Sequence, residues 1–574
     1  MKSVITMKKI FIGLASVLAA TTVHGQRTTI GHEAVEVIKP YQPVLSEAIK
    51  ITSLPQRDTL PVDPPSLEYS VEEKRYSTSY NITPIKPVRV KEEKIKELYR
   101  GYARAGYGIY NTLDAEAFYN ALRSKDFDAG IHLKHLASGG SIKDYGFPGV
   151  ATSHIKLHGT RFFTQSALDG HLSYQRDVSH FYGYTKPDIF SRRETQQTLH
   201  QLSARFGFGS FQHDADRLFY HASVAFSHLD LKTARYDGGE NDFEMAFMAG
   251  KKLRNDHLLS AEFSLNPVST VIPGNPCPPG QHCPQVSVVI PDIDLNRHII
   301  RLRPRYEFEK SGLKLTAGAN LSFEKSYGLR FWRFYPMAAL SYPLIKNQVA
   351  VTGELSGDLK KNTLQTIMTQ NPFVVPRQLV GEKFFYNTNN KLNVKGGVIV
   401  RPDQQLQLMA TAGWERLLED VLFANSLNTH GITHYSVVYD TVNRIHMHGA
   451  IQYFHRTRAG ISLSTDYYSY TLPEEREALF RPSFRMKADA FYTIGEKIYL
   501  RAFLLFTGMR KALATDGYTR LSGYADLNIG MDYRYSPVLN FWIHVNNLTA
   551  SHYMQWYRYP SYRFQALAGA SISF

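Results

Sequence analysis

The stretch Leu313-Lys314-Leu315-Thr316-Ala317-Gly318-Ala319-Asn320-Leu321-Ser322-Phe323-Glu324 alternates without a break. Leu313, Leu315, Ala317, Ala319, Leu321 and Phe323 form one face, and Lys314, Thr316, Gly318, Asn320, Ser322 and Glu324 form the other. A period of two places successive side chains on opposite sides of a pleated backbone, so this is a strand between an apolar and a wet medium. Strands of soluble proteins commonly run about 5–6 residues, whereas a tilted strand needs roughly 9–11 to cross a bilayer. The pattern recurs over 525–535, where Leu527, Ile529, Met531 and Tyr533 oppose Asp526, Asn528, Asp532 and Arg534. Over 539–546, Leu539, Phe541, Ile543 and Val545 oppose Asn540, Trp542, His544 and Asn546. At the C-terminal end Phe564, Ala566, Ala568, Ala570, Ile572 and Phe574 face away from Arg563, Gln565, Gly569, Ser571 and Ser573, with Leu567 the one exception.

Composition agrees. The 574 residues are 43% hydrophobic and 20% charged, too apolar for a disordered chain. Two cysteines can neither staple a small scaffold nor build a cluster of zinc sites. Beyond the N-terminus no run approaches the roughly 18 apolar residues of a membrane helix. The 36 Tyr, 33 Phe and 4 Trp suit a protein with aromatic belts. Backbone amides in lipid must all be paired, so a spanning sheet has to close on itself. The predicted fold is all-β, a transmembrane antiparallel β-barrel. A secreted sandwich or a propeller is the soluble competitor, and the propeller lacks its fixed-period repeat.

Three segments follow along the chain. Residues 1–25 read as a signal peptide: Lys2, Lys8 and Lys9, an apolar run over 10–20, and Val23 and Gly25 ahead of a cut before Gln26. Residues 26–95 carry Pro40, Pro43, Pro55, Pro61, Pro64, Pro65, Pro84 and Pro87, which disfavours both continuous helix and central strand. This segment is expected to be extended chain in the periplasm or the lumen. Residues 96–574 form the barrel. Short polar turns are placed near 124–126, 164–166, 254–256, 309–312, 401–404, 456–457, 495–496 and 535–537. Long loops are placed near 138–150, 176–193, 228–239, 267–295, 359–386, 417–431, 470–480 and 549–561. Short turns alternating with long loops give about 22 strands, within a range of about 20–24.

The C-terminal stretch Phe541-Trp542-Ile543-His544-Val545-Asn546-Asn547-Leu548-Thr549, followed by Tyr553, Trp556, Tyr559-Pro560, Arg563 and a terminal Phe574, resembles the closing strands of TonB-dependent receptor barrels. The terminal aromatic resembles the signal read by the barrel-assembly machinery. The resemblance implies residence in the outer membrane of a Gram-negative bacterium and a role in uptake. Asp58-Thr59-Leu60-Pro61-Val62 resembles the short energy-coupling box of that family, which adds a strand to a partner's sheet edge. Pro61 removes one backbone donor, and a plain proline-rich spacer is the alternative. Receptors of this family carry a folded plug ahead of the barrel. The roughly 70 proline-rich residues available here do not suit one, which predicts a barrel without the usual plug.

Arg301, Arg303 and Arg305 alternate with Ile300, Leu302, Pro304 and Tyr306, so three guanidiniums share one wall of the lumen. Arg485 and Lys487 form a second such pair. These rows either face anionic solutes or pair with lumenal acids such as Glu262, Glu307, Asp489 and Asp526. Pro304 marks a bulge or a strand boundary. Cys277 and Cys283 close a short loop in an exported chain and are read as a disulfide. Metal binding by Cys277, His282 and Cys283 is the alternative, with a spacing that matches no common site. His446 and His448 share a strand face, and His213, Asp214 and Asp216 fall in a turn. Such groups are ordinarily plain polar positions, and no resident metal or cofactor is expected. No nucleophile elbow, phosphate loop or zinc-protease helix is present, so no enzymatic activity is predicted.

The formal charge of +15 is not a nucleic-acid signature in an exported chain without a basic helix. Basic residues on outer strands and loops suit lipid and lipopolysaccharide headgroups. The expected function is passage or uptake of a hydrophilic solute, with an energy-coupling or periplasmic partner as one option. The alternative is a non-conducting scaffold that docks a partner complex.

Overall fold

In the strand Leu313–Ser326, Leu315 and Leu321 are exposed on the outer surface, while Asn320, Ser322 and Glu324 are buried on the inner side. That strand is one of 22 in a closed antiparallel sheet seen in a computed structural model of the chain. The structure describes residues 98–121, 124–184, 189–210, 218–234, 237–254, 256–273, 293–376, 385–427, 431–456, 458–514 and 517–574. The signal peptide, the proline-rich segment with Asp58 to Val62, the turn with His213, and the loop with Cys277 and Cys283 lie outside the described residues.

Each barrel strand pairs with its neighbours in the chain, and the first, Gly101–Gly108, pairs with the last, Gln565–Ser573, to close the ring. The seam is built around one indole. Gly106 and Gly569 stand opposite each other, and a Cβ there would come within 2.2 Å and 2.5 Å of the Trp542 ring. Trp542, on the polar face of its strand, fills the inner side of the seam that the two glycines leave open. The Arg104 guanidinium covers it at 4.5 Å and the His544 ring packs at 4.7 Å. At the end of the seam the Phe574 carbonyl accepts from the Gly101 amide at 2.7 Å. The Phe574 ring lies where a Gly101 side chain would be.

The strand Leu218–Thr233 carries both halves of the architecture. Its lower part points Ser223 and Ser227 inward and Val224 and Phe226 outward, as a lipid-bathed wall requires. Higher up the polarity inverts: Leu229 and Leu231 point inward and are buried, while His228 and Asp230 point outward. Strands also outrun the bilayer. Leu406–Leu427 has 22 residues and Thr433–His455 has 23, about twice what a crossing needs. The excess rises beyond the membrane at the long-loop end, which in such barrels faces the cell exterior.

This inversion corrects two expected loops. Residues 228–239 are mostly the paired strands Leu218–Thr233 and Asp237–Arg254, and most of 417–431 belongs to Leu406–Leu427, which pairs there with Thr433–His455. An apolar inner face is the wrong polarity for a membrane wall, so both stretches read as irregular. Strands likewise intrude on 267–295 from both sides, as His257–Ile272 and Ile293–Lys310. A long connection over 508–523, holding the hairpin Arg510–Ala514 with Gly517–Leu521, and a short turn at 346–348 were not foreseen. Pro304 marks neither bulge nor boundary. It lies opposite Ala261 inside Ile293–Lys310, and the register with Leu313–Ser326 is unchanged across it. Gly318 makes room, since a Cβ there would sit 2.5 Å from the Pro304 carbonyl oxygen.

Candidate functional site

A ring of 22 strands spaced about 4.8 Å apart and tilted is roughly 40 Å across. The connection after the fifth strand and the start of the sixteenth therefore lie on opposite sides. Yet the Thr433 amide donates to the Gly183 carbonyl at 3.1 Å. The Gln197 side chain donates to the Pro372 carbonyl at 2.8 Å, and Tyr182 donates to the Pro560 carbonyl at 2.9 Å. Phe373 stacks on Tyr559 at 3.7 Å. Long loops from all around the rim thus meet across the mouth and form a cap.

The cap has a core of its own. Phe181, Leu364, Phe373, Phe423, Tyr435 and Tyr559 belong to one buried apolar cluster, with Leu229, Leu231, Ile272 and Leu295 supplied by the upper wall. Tyr435 is fully buried at its centre, donates to the Tyr557 carbonyl at 3.0 Å, and packs against Phe480 and Trp556. Burial pushes its phenol well above the ordinary tyrosine value, so it stays a neutral donor.

An ion pair fastens the cap to the wall. The loop over 361–387 opens with a short helix, Leu364–Gln370, that buries Leu364, Ile367 and Met368. Thr363 caps its first turn, and the Glu240 carboxylate accepts from the Leu364 amide at 2.8 Å and the Gln365 amide at 3.2 Å. An acid suits the positive end of a helix. Arg297 lies 3.7 Å from Glu240 and donates to the carbonyls of Asn362 at 2.6 Å and Phe385 at 3.3 Å. Both charges are almost fully buried, so neither could stand without the other.

Below Arg297 the same strand presents the predicted row, which is largely neutralised. Arg303 meets Glu262 at 3.0 Å and Asp358 at 3.3 Å. Arg301 lies 3.9 Å from Asp358 and donates to the Leu359 carbonyl at 2.9 Å. Arg305 joins the same wall without an ion pair among the described residues. Of the acids anticipated as partners, Glu262 fills that role. Asp526 instead accepts from Tyr553 at 2.9 Å, and Glu307 and Asp489 make no ion pair among the described residues.

Arg485 and Lys487 have a different setting. They line a cavity of about 670 Å³ beneath the cap, with Lys360, Arg444, Arg481 and Arg510. Arg444 pairs with Glu415, Arg481 with Asp420 at 2.7 Å, and Arg510 donates to the Met554 and Gln555 carbonyls. Asp358, also on the cavity wall, is engaged by Arg303. Lys360, Arg485 and Lys487 have no acid within ion-pair distance among the described residues. Tyr468, Tyr470, Tyr524 and Trp556 supply flat surfaces between the charges. The vestibule therefore combines surplus positive charge with aromatic faces, suited to an anion with unsaturated or ring character.

Sequence reasoning missed Arg297 and Lys360. Arg297 shares the parity of Arg301, Arg303 and Arg305, but its position bordered a stretch assigned to loop. Lys360 and Asp358 alternate at the end of Val349–Lys360, a weaker signal.

No family model matches the sequence, and neither does any curated protein. Solved structures do. The Neisseria meningitidis iron transporter FrpB superposes with a TM-score of 0.64 at 9% identity, over 84% of this chain and 82% of its own. The Pseudomonas aeruginosa FpvA, solved with a heterologous pyoverdine, gives 0.63 at 10% identity, over 83% of this chain and 72% of its own. The ferric-catecholate import receptor Fiu from Escherichia coli K12 gives 0.61 at 11% identity, over 83% and 82%. With a closed ring, an apolar outer face and this likeness, the chain has the 22-strand barrel fold of TonB-dependent outer-membrane receptors.

Proposed function

We propose that the protein carries an anionic, hydrophilic solute across the outer membrane, with the loop cap as the closed state of its outer mouth. The observation that carries this reading is the vestibule: among the described residues Lys360, Arg485 and Lys487 have no acid within ion-pair distance, while the neighbouring Arg301 and Arg303 are matched by Asp358 and Glu262. A polar, positively charged lumen lowers the cost of bringing an anion through lipid, and binding at several weak points lets it leave again. No covalent chemistry is required. The solved structures with the same fold include an iron transporter and a ferric-catecholate import receptor, which supports uptake as the general task.

The test is planar-bilayer conductance of purified protein under a salt gradient, with and without residues 26–95. The expected result is low conductance with the cap intact and an anion-selective current once cap contacts are weakened. If neither form conducts under any cap variant, the scaffold reading replaces this one. Solute uptake by cells that is unchanged when residues 58–62 are substituted would remove energy coupling through that segment.

A further inference from the structure

We propose that His446, His448 and Asp466 form a binding site for a divalent transition-metal ion on the lumen wall. His446 and His448 are two apart on the strand Thr433–His455, so both rings point inward, while Met447 between them is exposed to lipid. Asp466 stands directly opposite His448 on the neighbouring strand Ala459–Thr471. One carboxylate oxygen, Oδ1, lies 2.9 Å from His446 Nε2 and 2.8 Å from His448 Nδ1. A ligand atom from each of the three residues fits within 4.8 Å of the other two.

The placement is rigid. Both strands are hydrogen-bonded on either side within the closed sheet, and the Tyr468 ring lies flat on His446 at 4.5 Å and 8°. Donors bound at about 2.0–2.2 Å to a tetrahedral ion sit roughly 3.3 Å apart. The observed 2.8 and 2.9 Å contacts need only a small opening to reach that spacing. Two imidazoles and one carboxylate leave a coordination position free on the lumen side, as sites that exchange a ligand do.

The donor set also selects the ion. Imidazole suits Zn²⁺, Cu²⁺ and Ni²⁺, whereas Mg²⁺ and Ca²⁺ prefer oxygen donors. The surroundings sharpen that choice. Arg485 stands opposite Asp466 across the strands, and Arg444 lies over the Tyr468 ring at 5.7 Å. A cation held by charge alone would be repelled there, while one held by imidazole lone pairs tolerates the field. The same guanidiniums favour an anionic donor at the free position. This site is independent of whether the barrel conducts.

Calorimetric titration of tag-free mature protein in detergent with Zn²⁺ tests the inference, alongside electron paramagnetic resonance of the Cu²⁺-loaded protein. One equivalent of metal is expected. His446→Ala, His448→Ala and Asp466→Asn should each weaken binding by at least about tenfold, since even outer-shell losses cost 10–100-fold. The Cu²⁺ spectrum should show coupling to two nitrogens, falling to one in either histidine variant. His158→Ala should leave both measurements unchanged, with heat-modifiable gel mobility checking the fold of every variant. Equal binding by the His446→Ala/His448→Ala double variant overturns the proposal. So does loss of binding in Cys277→Ser/Cys283→Ser alone. A wild-type spectrum without two-nitrogen coupling overturns it even where a variant fails to fold.

Discussion

Below Phe226 the wall is apolar outside and polar inside; above it Leu229 and Leu231 turn inward while His228 and Asp230 face out. One backbone geometry serves two solvents. In the lower half lipid takes the apolar face, and the inner face is polar. In the upper half water surrounds the rim, and the apolar partner is the cap, made by the protein itself. The two halves therefore differ in what holds them. The lower wall rests on a continuous ladder of backbone hydrogen bonds, and the cap rests on side-chain packing between loops far apart in sequence. Damage to the cap should open the mouth and leave the ring standing.

The largest effect is expected from Tyr435→Ala. It removes a fully buried ring and a hydrogen bond at the centre of the cap, a loss of about 3–5 kcal/mol for an aromatic truncated in a core. Conductance should rise sharply while the heat-resistant barrel band on a gel stays in place. Loss of that band would show that ring and cap are a single cooperative unit. Next comes Arg297→Ala, which leaves Glu240 as a buried charge without its partner, at about 3–5 kcal/mol. Glu240→Gln added to it removes that charge, so the double variant should recover part of the closed state. A double variant as open as Arg297→Ala would mean that the carbonyl contacts to Asn362 and Phe385, not the ion pair, hold the loop.

The same contrast decides what could be read in advance. In the lower half each strand has one apolar and one polar face at fixed spacing, so alternation over 313–324 and 539–546 located strands directly. In the upper half the alternation persists with its sign reversed, and 228–239 passed for loop. Leu567 stood out as an apolar residue on the polar face, and it is indeed buried inside. Arg301, Arg303 and Arg305 were legible as a row because parity is local. That Asp358 and Glu262 neutralise Arg303, while Arg485 and Lys487 form no ion pair among the described residues, depends on neighbours up to 55 residues away. The cap was beyond reach for the same reason, since Gly183 meets Thr433 only once the ring has closed.

That difference in pairing gives a prediction of intermediate size. Arg485→Gln with Lys487→Gln should move the reversal potential of the open pore toward cation selectivity, because two charges without an ion pair among the described residues leave the vestibule. Arg303→Gln should move it the same way by much less, since it removes a single charge lying outside the vestibule lining, with a cost in folding yield. Equal shifts from both would mean that selectivity is set by net lumenal charge and not by the vestibule.

The smallest expected effect concerns acid. His180 ends the strand Ser166–His180 at the cap, with Nδ1 2.6 Å from the Gly149 carbonyl and its ring edge-on to Phe147 at 4.9 Å. Burial pushes its pKa below the ordinary histidine value; the Gly149 contact pulls upward, and the nearby Arg192 charge adds to the depression. An opened cap would return His180 to water and to its ordinary value near 6.5. The open state then binds protons more readily than the closed one, so closure is favoured above that pH and weakened as the pH falls through it. Mild acidification should raise the open probability of the wild type by less than either cap substitution does. His180→Gln, which keeps a donor for Gly149 without a titrating ring, should flatten the response. A response that persists in His180→Gln would place the acid-sensitive contact elsewhere in the cap.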